Sequence, residues 1–190
     1  EVMHHREEII VVLTKTMISD QLSFIRIAKG FFDADDFNFI RTRRIGNGKI
    51  GGKAAGMLLA FKILQTVSPE LAQRITLPDS YFIGADVFYD FISLNTLEYN
   101  QKYKSADQIR EEYPDIKAEY EKGRFPEEVA DRLRAILERA GKTPLIVRSS
   151  SLLEDNFGTS FAGKYESYFC PNQSNTKENL RALTTAIRRI

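Results

Sequence analysis

Two stretches of the chain carry residue types that handle phosphate. The first is Gly46-Asn47-Gly48-Lys49-Ile50-Gly51-Gly52-Lys53. Glycines let a backbone turn its amides toward a ligand, and a helix opening directly behind them adds its own unpaired amides and the positive end of its dipole. Lys53, in the first turn of such a helix, adds a full charge. The same residues also suit a plain loop leading into a helix, with the lysine solvated.

The second stretch begins at Arg148, which closes the apolar run Leu145-Ile146-Val147. Read as a strand buried on both faces, that run places a guanidinium where the lack of an anionic partner would be costly. The partner is either internal, with Glu154 and Asp155 within reach along the chain, or a bound anion. The loop that follows, residues 149–163, is rich in serine and glycine, a composition that brings amides and hydroxyls close to phosphate oxygens.

Two familiar phosphate loops do not fit the first stretch. Gly46-x-Gly48-x-x-Gly51 spells a dinucleotide fingerprint, but the basic run Ile40-Arg41-Thr42-Arg43-Arg44-Ile45 before it makes an unconvincing buried strand. Glu70, near the spacing of a ribose-binding acid, follows Ser68-Pro69 at a helix end instead of closing a second strand. The Walker pattern fails because Asn47 stands where glycine is required and Ala54 stands where a hydroxyl should hold magnesium.

Hydrophobic periodicity supplies the elements that position these loops. Residues 6–32 are mostly helical, with Ser19 as the expected cap of a second helix, and a short third helix covers 35–40. A helix follows the glycines from Lys53 to Thr66. The short apolar run Tyr81-Phe82-Ile83, ended by Gly84, leads into a helix over 87–94. Residues 99–122 are charged and read as a surface helical excursion. A helix over 126–140 carries Val129, Leu133, Ile136 and Leu137 on one face and stops at Gly141. The strand ending at Arg148 pairs with a second over 165–169 in a long-looped hairpin. A last helix over 176–190 ends without cap or tail, which reads as truncation. The expected class is α+β, with a helical lead-in over 1–44 and the remainder, 45–190, as one nucleotide-binding part.

At 190 residues, 43% hydrophobic and 28% charged, the chain has ordinary globular proportions. Its 27 basic and 26 acidic residues leave a net charge of +1, so no bulk field recruits nucleic acid or a membrane surface. No stretch is long and apolar enough to span a bilayer. The one cysteine, Cys170, excludes an internal disulfide and reads as a buried bystander, which suits a cytoplasmic location. His4 and His5 lack the partners a metal or phosphocarrier role would need.

Taken together, Gly51-Gly52-Lys53-Ala54-Ala55-Gly56-Met57 and Val147-Arg148-Ser149-Ser150-Ser151, continued through Glu154-Asp155 to Ser160-Phe161-Ala162-Gly163, resemble the nucleotide-binding domain of the phosphoenolpyruvate synthase and pyruvate phosphate dikinase family. About half the chain is covered. The resemblance implies the first lobe of an ATP-grasp domain, with ATP phosphates held by Lys53 and Arg148 and the nucleotide touched by Gly163 and Ser167. The family has threonine at the Ser167 position, so a hydroxyl is kept, whereas Phe157-Gly158-Thr159 departs from the family pattern. It further implies a multidomain phosphotransferase that passes a phosphoryl group from ATP to a histidine on a domain absent here, then to an acceptor such as pyruvate. Magnesium ligands are expected outside this chain, and the chain alone is expected to be inactive. The alternatives are a non-catalytic relative serving as nucleotide sensor or interaction module, and a fold in which Arg148 simply pairs with Glu154 or Asp155.

Overall fold

The computed structural model describes residues 2–102, 104–151 and 165–190 and is a helix-rich α+β fold. The chain divides into two compact units. One is Glu1–Asp86 with Ser150–Phe161, the other Val87–Ser149 with Ala162–Ile190.

The first unit opens with α1 (Val2–Met17), α2 (Leu22–Ala28) and α3 (Ala34–Arg43). The start of α3 is fixed by a capping box: the Asp33 carboxylate accepts from the Asp35 and Asp36 amides, and the Asp36 carboxylate accepts from the Asp33 amide. The start of α2 differs from expectation. Its cap residue is Gln21, without a side-chain cap bond, and the Ser19 hydroxyl accepts from the Gln21 amide instead. Ser19 stands too early because its own amide still bonds the Thr14 carbonyl at the end of α1.

β1 (Arg44–Ile45) then pairs in parallel with β2 (Phe82–Ile83), Arg44 opposite Phe82 and Ile45 opposite Ile83. The basic run ahead of the glycines thus makes a minimal strand. Between the two strands lie α4 (Gly52–Val67) and the single turn α5 (Pro69–Ala72). Ile18, Phe32, Phe37, Ile40, Ile50, Leu59 and Phe82 form one buried cluster under these elements. Burying each such side chain stabilises the unit by about 1.5–3 kcal/mol.

α6 (Ala85–Leu94) begins in the first unit and continues into the second, which adds α7 (Glu98–Lys102), α8 (Ala106–Lys122), α9 (Glu127–Ala140), β3 (Leu145–Arg148), β4 (Ser167–Cys170) and α10 (Thr176–Arg189). As its charge pattern predicts, α8 buries no residue. α9 buries Val129, Leu133, Ile136 and Leu137, the predicted face, and ends where Gly141 takes a positive φ of 60°.

β3 and β4 are antiparallel, and α10 packs against both strands and α9. The strand ending at Arg148 was expected to be buried on both faces. It is covered on one only: Leu145 and Val147 are half-buried, while Ile146 and Arg148 are exposed. Among the described residues β4 is its one neighbouring strand, and the helices lie against a single face. Cys170, on the covered face of β4, is buried, and burial pushes its thiol upward. No described helix is long and apolar enough to cross a membrane.

Candidate nucleotide site

The glycine-rich stretch feeds α4 as expected, with Gly51 as the cap residue and Lys53, half-buried, in the first turn. What meets the helix start is the second stretch of the sequence. The Ala54 amide donates to the Ser150 hydroxyl at 3.0 Å, and the Gly52 amide donates to the Ser151 carbonyl at 3.1 Å. A helix start leaves its first amides without internal partners, and here the serine run supplies two of them. The approach is close enough to demand glycine: a Cβ on Gly51 would lie 1.0 Å from the Ser150 carbonyl oxygen.

The glycine loop itself is held from several sides. The Asn47 amide donates to the Asp86 carboxylate at 2.6 Å, the Ala85 amide to the Lys49 carbonyl at 3.0 Å, and the Ile50 amide to the Met17 carbonyl at 3.0 Å. Arg44 Nη1 donates to the Gly48 carbonyl at 3.0 Å, and Lys49 pairs with Asp20 at 2.7 Å. Gly48 and Gly84 leave room for the Asp86 side chain, since a Cβ on either would come within 2.6 Å of its Oδ1. That oxygen and Arg44 Nε are buried without a hydrogen-bond partner among the described residues. Burial pushes the Arg44 guanidinium down, with the charge of Asp86 working the other way. An internal carboxylate therefore sits on an amide that the sequence had offered to a phosphate. Asp86, Arg44 and the capping role of Ser150 are not legible in the sequence, because the partners of Asp86 and Ser150 lie far along the chain and Arg44 sits inside a run of like charges.

In the second unit, Arg148 and Ser167 are directly opposite each other across the β3–β4 ladder, and both are exposed. Facing side chains in such pairs have Cβ atoms about 4.5–5.5 Å apart. The structure thus brings these two expected contacts together on one face. Exposure also removes the argument that Arg148 must have a partner because it is buried; an exposed guanidinium is solvated at little cost. Lys53 belongs to the other unit. Gly163, the loop residues Gly158 and Ser160, and the internal partners Glu154 and Asp155 lie outside the described residues.

The family model described as pyruvate phosphate dikinase, AMP/ATP-binding domain, matches residues 47–189. The chain belongs to this family. The matched interval starts in the glycine loop and ends in the last turn of α10, and it contains Lys53, Arg148, Gly163 and Ser167. Comparison with curated proteins and with solved structures returns no match. A pyruvate phosphate dikinase AMP/ATP-binding domain takes ATP as ligand and belongs to a phosphotransferase lineage. Among the described residues no group of three or more His, Cys, Asp or Glu side chains converges as a metal cluster.

Proposed function

We propose that this chain is the ATP-binding part of a multidomain phosphotransferase, in which a phosphoryl group passes from ATP to a histidine on another domain and on to an acceptor such as pyruvate. In this reading it forms the first lobe of an ATP-grasp domain. Lys53 and Arg148 hold phosphate oxygens, while Gly163 and Ser167 contact the nucleotide through an amide and a hydroxyl. Arg148 also offsets the charge that develops on the phosphoryl group as it leaves. Magnesium, when bound, supplies further neutralisation from ligands outside these residues.

The observation that supports the reading most directly is the bond between the start of α4 and the serine run. Two stretches singled out independently for phosphate chemistry, 96 residues apart at Ala54 and Ser150, are hydrogen-bonded to each other.

The test is ATP binding and phosphohistidine formation by the intact protein carrying Lys53→Ala or Arg148→Ala. Each substitution is expected to weaken ATP binding about 10-fold to 100-fold, the range for a hydrogen bond to a charged group, and to suppress phosphohistidine. Normal rates in both variants would sink the proposal. Intact protein that binds ATP yet never yields AMP or phosphohistidine would point to the nucleotide sensor instead.

A further inference from the structure

The exposed face of the β3–β4 hairpin carries more than Arg148 and Ser167. Side chains alternate across a strand, and on this face lie Ile146, Arg148, Ser167 and Phe169, all exposed. Ile146 and Phe169 are cross-strand partners, as are Arg148 and Ser167. Phe169 is 79% exposed and Ile146 48% exposed, which leaves an apolar pair standing in water beside a cation and a hydroxyl. None of the four is acidic. Glu166 falls on the other side of the strand, where its carboxylate accepts from the Tyr168 hydroxyl.

We infer that Ile146 and Phe169 seat the base of the nucleotide whose phosphates meet Arg148 and Ser167. This rests on the ATP reading above. The two cross-strand pairs are two residues apart along the strands, about 6.6 Å, a spacing that matches a ligand apolar and planar at one end and anionic at the other. The two apolar side chains that this face carries among the described residues are far too few for a protein partner, since a stable interface buries about 800 Å² on each side. One aromatic face is, however, the size of one base, and stacking of this kind accepts any base. Arg148 supplies the charge complementarity, and Phe169 gives the ring a reason to stand exposed.

The test compares ATP, GTP and inorganic tripolyphosphate as ligands of the intact protein. Phe169→Ala is expected to weaken both nucleotides about tenfold or more and to leave tripolyphosphate unchanged, whereas Arg148→Ala weakens all three. Phe169→Trp should keep nucleotide affinity. The chain has no tryptophan of its own, so the new ring should report ATP, and not tripolyphosphate, as a fluorescence change relative to the unaltered protein. Unchanged ATP affinity in Phe169→Ala, with weakened binding in Arg148→Ala, would overturn the base seat and leave the ATP reading standing. A change of oligomeric state in Phe169→Ala without a change in ATP affinity would overturn it too. Normal ATP binding in both Lys53→Ala and Arg148→Ala would remove the ATP reading and this inference with it.

Discussion

At the scale of single residues, Gly51 is the position with least room. Any side chain there meets the Ser150 carbonyl, so Gly51→Ala should force the serine run away from the start of α4. The expected loss is about 1–3 kcal/mol, as for other overpacked sites, read as a lower Tm with ATP affinity falling in parallel. Ser150→Ala removes only the cap on the Ala54 amide and should cost about 1 kcal/mol. Lys53 at a helix start was legible because glycines followed by periodic apolar residues announce a helix. The identity of the cap was not, since nothing local ties Ala54 to a serine 96 residues later. Asp86 was hidden for a similar reason: it reads as an ordinary acidic residue in the first turn of α6, and only the fold sets it against Asn47.

At the scale of elements, legibility followed the strength of the period. α9 and α10 show one buried face each and lie within a residue or so of where periodicity puts them. β4 begins at Ser167, two residues later than its apolar pattern suggested, because pairing with Arg148 and not side-chain type sets its first residue. β1 was obscured by Arg44 and the arginines just before it, for two residues of pairing leave almost no compositional trace. β3 shows the converse error. Three consecutive apolar residues signal burial on both faces, yet one face of the hairpin stays open. α8 carries a different tension, since Pro114 sits inside a helix with no buried residue to hold it. A proline there removes one helical hydrogen bond and crowds the preceding turn. Pro114→Ala should therefore stabilise α8 by about 1–3 kcal/mol, visible as slower amide exchange in residues 110–118 with little change elsewhere.

At the scale of the whole molecule, the two units should respond differently to acid, because the carboxyls that folding lowers, Asp20 and Asp33, both lie in the first. In the first unit the Lys62 ammonium holds the Asp33 carboxyl below its ordinary 3.8, and the Lys49 ammonium does the same for Asp20. Carboxyls lowered on folding contribute stability that is complete above their unfolded value and is lost as pH falls through the folded one. Unit one should hold this contribution down to pH 3.8 and lose it below, whereas α9 and α10 of unit two rely on apolar faces that do not titrate. For Lys62, burial works against the charged form, but Asp33 and Asp36 more than offset it and raise its value above 10.5. Lys62→Met should therefore shrink the difference in Tm between pH 7 and pH 2.5, and amide exchange should place the change in the first unit. Cys170 has a practical consequence of another kind. Because the chain's single thiol is shielded and its thiolate disfavoured, maleimides and iodoacetamide should pass it by in the folded state. A cysteine introduced on the open hairpin face would then be the one reactive thiol in this chain, a single handle on which a dye or spin label could test whether nucleotide reaches that face.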